Sequence, residues 1–218
     1  MRHTKIIVFA KAPLPGLAKT RLIPALGAEG AAALARRMLE RTVAMAARAG
    51  AGMVELCVSP RPSHPVWNSL ALPGCVFWSD QGHGDLGARM ARAVRRATRD
   101  GHAVLLIGTD CPQMDAADLQ RAAFALRSHD CGIVPVADGG YVALGLKRFH
   151  PAPFEEMPWS TGAVAAETLR RLGRLGWKTH VGRTLHDIDE PPDLAWLPAD
   201  FGFQVPGFEF QVRAAPAT

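Results

Sequence analysis

The stretch Ala103-Val104-Leu105-Leu106-Ile107-Gly108-Thr109-Asp110-Cys111-Pro112 decides the fold that the sequence predicts. Its unbroken apolar run, bounded by a glycine and a proline, is typical of a strand buried on both faces of a parallel sheet that helices cover. Ligands of open α/β sheets bind beyond the carboxyl ends of the strands. We therefore expect Asp110 at a ligand site, although Asp and Pro are also ordinary turn formers.

A basic loop follows the first predicted strand, residues 5–10. The loop, residues 11–22, carries two prolines together with one glycine and three cations that are candidate ligand contacts: Gly16, Lys11, Lys19 and Arg21. Cations at the carboxyl end of a strand suit a phosphate chain, and a solvated basic loop is the alternative. Lys19-Thr20 copies the end of a P-loop, but Ala18 precedes the lysine and no glycine has the required upstream spacing.

A glycine-rich segment, residues 80–87, precedes a helix that ends near Arg99. Asp85 is placed to cap that helix. Gly82, Gly84 and Gly87 would let backbone amides approach a ligand closely. The segment is therefore either a simple helix cap or the wall of a nucleotide or sugar pocket.

The sequence Asp138-Gly139-Gly140-Tyr141 lies between two apolar runs, residues 131–137 and 142–146. Asp-Gly-Gly in this setting is first a hairpin turn signal. Pro135 favours a position near the edge of the sheet for the first run. Tyr141 is the only tyrosine of the chain and stands beside a second strand-end aspartate, Asp138, with two glycines between them, which also favours a binding role.

The densest acidic cluster spans residues 186–194. Asp187 and Asp189 alternate, so an extended segment would present both carboxylates on one side, an arrangement suited to a divalent cation. Glu190 and Asp193 are interpreted as first-turn acids of a helix that begins at Pro191.

The remaining pattern predicts a single domain, residues 1–218, in which strands alternate with covering helices. Helices are expected over residues 29–49, over 115–128 with Asp115 as cap, and over 162–174 with Ser160 or Thr161 as cap. The tail, residues 201–218, alternates apolar residues and is predicted to add an edge strand or to fray.

Composition narrows the class of protein. The net charge is +5, but no run of five or six basic residues occurs, which favours small anionic substrates over nucleic acid. The four cysteines form no C-x-x-C pair and lie near no histidine at ligand spacing, which argues against zinc and favours a cytoplasmic protein with reduced thiols. No signal-peptide core and no stretch long enough to span a membrane are found.

Five motifs in order resemble those of one family. They are Phe9-Ala10-Lys11-Ala12-Pro13 with Gly16-Leu17-Ala18-Lys19-Thr20-Arg21-Leu22, Gly82-His83-Gly84-Asp85-Leu86-Gly87, Gly108-Thr109-Asp110-Cys111-Pro112, Ala137-Asp138-Gly139-Gly140-Tyr141, and Asp187-Ile188-Asp189-Glu190-Pro191. The family is the bacterial GT-A-like group named as radical-SAM/selenodomain-associated or arsenosugar-biosynthesis glycosyltransferases. It is related to the molybdopterin and phospholactate guanylyltransferases.

The resemblance implies a nucleotide-diphospho-sugar transferase fold, which is a GT-A-like, Rossmann-like three-layer α/β sandwich with a mostly parallel sheet. It also implies a nucleotide site in the amino-terminal half of the chain. The residues that it implies for phosphate, nucleotide and substrate contacts are Lys11, Gly16, Lys19, Arg21, Gly82, Gly84, Asp85, Gly87, Gly139, Gly140 and Tyr141. Asp110 would hold Mg²⁺ or Mn²⁺, and Asp189, or Asp187 beside it, would be the second metal ligand.

The leading hypothesis is a metal-dependent transfer of a sugar from a nucleotide-activated donor to a small acceptor, with Asp138 as general base and with Lys19 and Asp110 in the catalytic set. Many GT-A glycosyltransferases carry Asp-x-Asp where this chain has Gly108 at the first position. That departure favours the alternative of a nucleotidyltransferase that joins an NTP to a phosphorylated small molecule. A non-catalytic nucleotide-binding domain is the third hypothesis.

Overall fold

One mixed sheet of seven strands organises residues 3–203, the part of the chain that the computed structural model describes. The strands are β1 (Thr4–Lys11), β2 (Met53–Ser59), β3 (Phe77–Asp80), β4 (Ala103–Ile107), β5 (Cys131–Pro135), β6 (Tyr141–Leu146) and β7 (Thr179–Val181). Their order across the sheet is β3-β2-β1-β4-β6-β5-β7. Only β6 runs against the others among these strands, so the sheet is mostly parallel, as predicted.

The strand β4 lies at the centre of the sheet, and all five of its residues are buried, as the sequence predicts. It pairs in parallel with β1 but antiparallel with β6. The antiparallel neighbour arises because a short turn joins β5 to β6, and such a connection can form only an antiparallel hairpin. Pro135 ends β5, which lies next to the edge strand β7.

Four α-helices cover the sheet within residues 3–203. They are α1 (Ile23–Arg48), α2 (Leu86–Arg99), α3 (Ala116–Ala125) and α4 (Val164–Arg174). Gly27 interrupts α1 with a φ of 69°, so the regular part of this helix begins where the apolar pattern predicts it, near residue 29. None of the described helices has the length and apolar character needed to cross a membrane.

Two large apolar clusters lie on opposite faces of the sheet. Alternate residues of β1 divide between them: Ile6 packs with side chains of α1 and α3, and Ile7 packs with side chains of α2 and α4. A third cluster joins Leu34 of α1 to Ile188 and Phe201 near the end of the described chain. The molecule is therefore a three-layer sandwich, because side chains of a strand alternate between the two faces of its sheet.

The helix caps follow the sequence prediction at two of three sites. Asp85 accepts a hydrogen bond from the Ala88 amide, and Asp115 forms a reciprocal capping box with Asp118. At α4 the prediction is wrong, because Ala163 occupies the cap position. The Thr161 hydroxyl accepts a 3.3 Å hydrogen bond from the Ala163 amide, which satisfies one free donor from outside the helix.

The last described segment is built from short 3₁₀ helices. Pro191–Trp196 is one, and the predicted first-turn acids Glu190 and Asp193 close it with a capping box. Ala199–Phe201 is another, so Phe201 does not begin a strand. The rest of the predicted edge strand, residues 204–218, lies outside the described residues.

Candidate functional site

Four predicted site segments meet at one edge of the sheet. The strands β1, β4, β5 and β7 run in the same direction, so the residues that follow them emerge together. These residues include the loop 11–22, Asp110, Asp138 and the acidic segment 186–194. In open α/β sheets this is the edge at which ligands bind.

Lys19 lies between two of the predicted carboxylates. Its ammonium nitrogen is 2.8 Å from Asp110 Oδ1 and 2.5 Å from Asp189 Oδ1. The lysine side chain is only 8% exposed, whereas those of Asp110 and Asp189 are 53% and 42% exposed. Burial alone would lower the pKa of this lysine, but the two carboxylates outweigh it and raise the pKa above its ordinary value.

Hydrogen bonds hold the acidic segment against the loop that follows β4. The Ile188 amide donates to the Asp110 carbonyl at 2.8 Å, and the Cys111 thiol donates to the His186 carbonyl at 3.1 Å. Gln113 accepts from the His186 amide at 3.2 Å and donates to the Trp196 carbonyl at 3.1 Å. We call the last two contacts the Gln113 clamp.

The imidazole of His186 stacks on Trp196, with 3.7 Å between ring centroids, and supports the Gln113 clamp. Sequence reasoning missed Gln113, because a single glutamine after a turn carries no local signal of such a long-range role.

Asp187 lies inside the acidic cluster. Burial, then the nearby charge of Asp138, and then that of Asp189 raise its pKa to about 6. Ile188 beside it is fully buried, while Asp187 and Asp189 are only partly buried, which is the alternation expected of an extended segment. The cluster therefore carries an excess of negative charge, which Lys19 compensates in part.

The turn between β5 and β6 is anchored to the start of α4. Asp138 accepts a 2.7 Å hydrogen bond from the Gly140 amide, and the Gly139 carbonyl accepts one from the Ala165 amide at 2.8 Å. Gly139 has a φ of 89°, and a Cβ atom there would come within 2.0 Å of the Gly162 carbonyl oxygen. The turn thus needs glycine at this position to bring Asp138 to the carboxylate cluster.

Tyr141, which is predicted to contact a substrate, begins β6 and is partly buried. Its ring packs against the apolar cluster beneath α2 and α4. Its hydroxyl is buried without a hydrogen-bond partner among the described residues, and burial raises the pKa of the phenol. The phenol thus has a packing role beneath these helices, and a contact between Tyr141 and a substrate stays a prediction.

The three cations of the loop 11–22 have different surroundings. Lys19 joins the carboxylate cluster, and it does so with a left-handed backbone, at a φ of 48°. Arg21 forms a 3.6 Å ion pair with Glu190 of the acidic segment. Lys11 is exposed at the end of β1, and Gly16 has open space where a side chain would project.

The glycine-rich segment is held by a side chain of α2. Arg92 donates to the carbonyls of Gln81 and His83, and the Asp80 carboxylate accepts from the Gly82 amide at 2.8 Å. Gly82 and Gly84 have positive φ values of 71° and 101°. The loop is therefore a preformed structure at the carboxyl end of β3.

Close packing of α2 explains why residue 87 is a glycine. A Cβ atom there would lie 2.1 Å from the Phe154 carbonyl oxygen, so glycine lets α2 approach the segment near residue 154. Asp85 acts as the helix cap described above. Gly87 thus has a packing function and Asp85 a capping function, and neither function requires a bound ligand.

The carboxylates at this edge of the sheet provide two ligands for a divalent cation. Residues 3–203 contain no group of three or more His, Cys, Asp or Glu side chains spaced to hold a metal ion, so the predicted trio of Asp110, Asp187 and Asp189 is not assembled there. Instead, Asp110 and Asp189 each direct one oxygen to the same ammonium. Two hard oxygen donors that converge on one positive charge fit Mg²⁺ or Mn²⁺.

A large groove lies away from these carboxylates, between α2, α4 and the segment 151–156, with a volume of about 1170 Å³. Its lining is rich in arginine, but Arg96 pairs with Glu55 and Arg171 pairs with Glu167. Acidic side chains also line it. Basic residues at the ends of helices are favourable without any ligand. Asp85 and Gly87 also line the groove, so it lies beside the glycine-rich segment and apart from the carboxylates.

Solved structures of known proteins share this architecture. A protein from Desulfovibrio desulfuricans G20, provisionally named a nucleotide-diphospho-sugar transferase, is 29% identical with a TM-score of 0.82, and the match covers 89% of this chain and 86% of that chain. Rv0371C from Mycobacterium tuberculosis H37Rv, in complex with manganese, is 22% identical with a TM-score of 0.52, over 89% of this chain and 97% of that chain.

A third similar structure is CMP:2-keto-3-deoxy-manno-octonic acid synthetase in complex with CTP. It is 11% identical with a TM-score of 0.55, and the match covers 88% of this chain and 95% of that chain. At this identity, and at that of Rv0371C, the likeness shows the fold alone. No curated protein matches the sequence significantly.

The fold predicted from the sequence is confirmed: it is the Rossmann-like α/β fold of nucleotide-diphospho-sugar transferases and nucleotidyltransferases. A family model described as "Uncharacterized protein conserved in bacteria (DUF2064)" matches residues 42–161, which is more than half of the chain. The protein therefore belongs to the DUF2064 family, and its structural neighbours are transferases.

Proposed function

We propose that this protein is a metal-dependent transferase that passes a sugar from a nucleotide-activated donor to a small acceptor. The observation that carries the proposal is the convergence of Asp110 and Asp189 on Lys19 at the ligand-binding edge of the sheet. The name of the Desulfovibrio protein, at 29% identity, supports a nucleotide-sugar substrate. Within DUF2064, the motifs favour the radical-SAM/selenodomain-associated or arsenosugar-biosynthesis group.

In this proposal Asp110 and Asp189 hold Mg²⁺ or Mn²⁺, with Asp187 beside them. The manganese complex of Rv0371C supports a divalent cation. When bound, the cation would supply positive charge to the nucleoside diphosphate leaving group. Lys11, Lys19 and Arg21 bind the phosphates, and the segment 82–87 lines the nucleotide pocket.

Asp138 is the proposed general base. The bond between the sugar carbon and the diphosphate oxygen breaks, a bond from that carbon to the acceptor oxygen forms, and Asp138 takes the acceptor proton. Its position at the carboxyl end of β5, near Asp187, supports this role. Asp138→Asn preserves an oxygen acceptor for the Gly140 amide, so we expect unchanged donor affinity and turnover about 10² to 10⁴ times lower. Undiminished turnover would remove Asp138 from the mechanism.

A nucleotidyltransferase is the second candidate. Gly108 stands where many sugar transferases of this fold carry the first aspartate of Asp-x-Asp, and a similar structure contains CTP. In that reaction a phosphate oxygen of the second substrate attacks the α-phosphorus of an NTP, and pyrophosphate leaves. No general base is required, because the nucleophile is already an anion.

A thermal-shift panel separates these candidates. Nucleoside-diphospho-sugars and the parent NTPs are each tested with Mn²⁺, Mg²⁺ or EDTA. A ligand at about a hundred times its dissociation constant adds roughly 2.7 kcal/mol of stability, which is several degrees for a chain of this size. A metal-dependent shift by a nucleotide sugar that disappears in Asp110→Ala supports sugar transfer.

The other outcomes of the panel contradict the first proposal. A shift by an NTP alone, accompanied by pyrophosphate release, supports the nucleotidyltransferase. Binding without turnover of any donor supports a non-catalytic nucleotide-binding domain.

A further inference from the structure

The ammonium of Lys19 lies where a divalent cation would bind. It contacts one oxygen of Asp110 and one of Asp189, at 2.8 and 2.5 Å. A metal ion that used the same two oxygens would sit about 2.0 to 2.6 Å from them. Two positive charges cannot share that position, because their repulsion in a partly buried site is large.

Lys19 has a fixed backbone and a flexible side chain. Its carbonyl accepts a 2.9 Å hydrogen bond from the Leu22 amide, and Leu22 is buried in the cluster that contains Ile188. The chain around Lys19 is therefore tied to the acidic segment. Only the four-carbon stem of the lysine is free to redirect the ammonium.

The same lysine belongs to the loop proposed to bind phosphates, so its ammonium has two competing sets of anionic partners. Arg21 in that loop pairs with Glu190 and does not separate Asp110 from Asp189. Lys11 is exposed at the other end of the loop. Lys19 is thus the cation of this loop whose movement exposes the carboxylate pair.

We propose that Lys19 is a resident cation that keeps the divalent metal out until the phosphates of the nucleotide draw its ammonium away. Nucleotide and metal then bind with positive coupling through Lys19. The coupling is reciprocal: because nucleotide and metal both favour the state in which the ammonium has left the carboxylates, each ligand raises the affinity for the other. This inference rests on the proposed function, since both ligands are placed at this site.

The first experiment measures Mn²⁺ binding by electron paramagnetic resonance, without nucleotide. Lys19→Met removes the ammonium, and we expect it to bind Mn²⁺ at least tenfold more tightly than the wild type. Lys19→Arg keeps a cation between the carboxylates, so its Mn²⁺ binding should stay as weak as that of the wild type. Lys5→Met is the matched control, because it removes a lysine that pairs with Glu55 at 3.5 Å outside the candidate site, and its Mn²⁺ affinity should stay within about threefold of the wild type.

The coupling is then measured with UDP, GDP and CDP in turn. Chelation of Mn²⁺ by the nucleotide in solution is the same for every variant, so it cancels in the ratio of Lys19→Met to wild-type affinity. With a bound nucleotide, the ratio of Lys19→Met to wild-type Mn²⁺ affinity should be at least fivefold smaller than without nucleotide. An unchanged ratio with a nucleotide that binds would overturn the coupling.

A second readout uses the wild-type protein and so does not depend on a variant that folds. Acetylation of lysines by a mild acylating reagent is followed by mass spectrometry, first without Mg²⁺ and then at a Mg²⁺ concentration high enough to displace the ammonium and saturate the carboxylates without nucleotide. Lys19 should be protected at first and at least threefold more reactive when Mg²⁺ is bound, whereas the exposed Lys11 should not change. Equal reactivity of Lys19 in both conditions contradicts the proposal.

The outcomes separate this inference from the proposed function. Equal Mn²⁺ binding by wild type and Lys19→Met, lost in Asp110→Ala, overturns the role of Lys19 but leaves the metal site standing. No Mn²⁺ binding by either protein overturns both.

Discussion

Gly139 shows how one residue controls the position of a candidate catalytic group. Its positive φ lets the turn close behind Asp138, and its missing side chain lets the Gly162 carbonyl pack against it. An alanine at such a φ costs about 1 kcal/mol by itself. At Gly139 the added methyl must also displace a backbone carbonyl.

Gly139→Ala and Gly101→Ala form a matched pair that tests this explanation. Gly101 has a similar φ of 85°, but nothing lies within 4 Å of its added Cβ. We expect Gly101→Ala to lower the free energy of unfolding by about 1 kcal/mol and Gly139→Ala by at least about 2 kcal/mol more. Urea unfolding of both proteins measures the difference. Equal losses would mean that the turn adjusts freely around residue 139.

At the scale of elements, the Gln113 clamp joins the loop after β4 to the acidic segment. Gln113→Ala removes both side-chain hydrogen bonds to that segment. Replacing a group that supports metal ligands through hydrogen bonds typically lowers the metal affinity by about 10-fold to 100-fold. We therefore expect Mn²⁺ affinity to fall about tenfold, as measured by titration, in a protein that still unfolds cooperatively.

Gln120→Ala is the control for the clamp. Gln120 also donates to a backbone carbonyl, that of Ala49, at 2.8 Å, but it lies on α3 away from the carboxylates. Its replacement should leave Mn²⁺ affinity unchanged. A similar loss in both variants would mean that the effect comes from general stability.

A second link between elements depends on pH. Arg183, which follows β7, donates two hydrogen bonds, of 2.9 and 2.8 Å, to the buried carboxylate of Asp118 on α3. Burial opposes ionisation of Asp118, but the hydrogen bonds from Arg183, the Asp115 amide and Arg121 outweigh it and lower the pKa. A lowered pKa means that the folded state holds this carboxylate ionised at pH values where the unfolded state protonates it.

The stabilising contribution of Asp118 is therefore present above the ordinary aspartate pKa of about 3.9 and is lost as the pH falls through the lower folded value. Asp118→Asn should cost about 2 kcal/mol at pH 7, and this difference from the wild type should shrink toward pH 3. Urea unfolding at both pH values provides the measurement. Glu29→Gln is the control, because Glu29 is exposed and no described residue pairs with it.

At the scale of the whole molecule, the sheet separates two cores. Ile6 and Ile7 are neighbours in β1 and are both fully buried, yet they pack in clusters on opposite faces. Ile→Val changes in a core cost about 0.5 to 1.5 kcal/mol each. Since the two side chains share no apolar cluster, we expect the losses to add within about 0.5 kcal/mol in the double variant.

Urea unfolding of Ile6→Val, Ile7→Val and the double variant checks this additivity. A coupling larger than about 1 kcal/mol between them would show that the sheet transmits packing changes from one face to the other. Leu17→Ala, at a side chain that is 75% exposed, should change stability little and serves as the surface control.

Local patterns in the sequence determined the class of fold, most strand positions and two helix caps. The buried run before Asp110, the alternation around Ile188 and the cap at Asp85 depend on neighbours along the chain, and the structure confirms all three. The cap of α4 and the strand at Phe201 were wrong, because turns and packing in these segments override a short polar or apolar pattern.

Only the tertiary structure decided how the candidate site is put together. Asp110 and Asp189 are far apart in the chain, and the parallel course of β4, β5 and β7 brings them to one ammonium. The burial of Tyr141 and the clamp at Gln113 likewise depend on elements distant in sequence. The physical reason is that charge, burial and hydrogen bonding act through space, whereas periodicity and capping act along the chain.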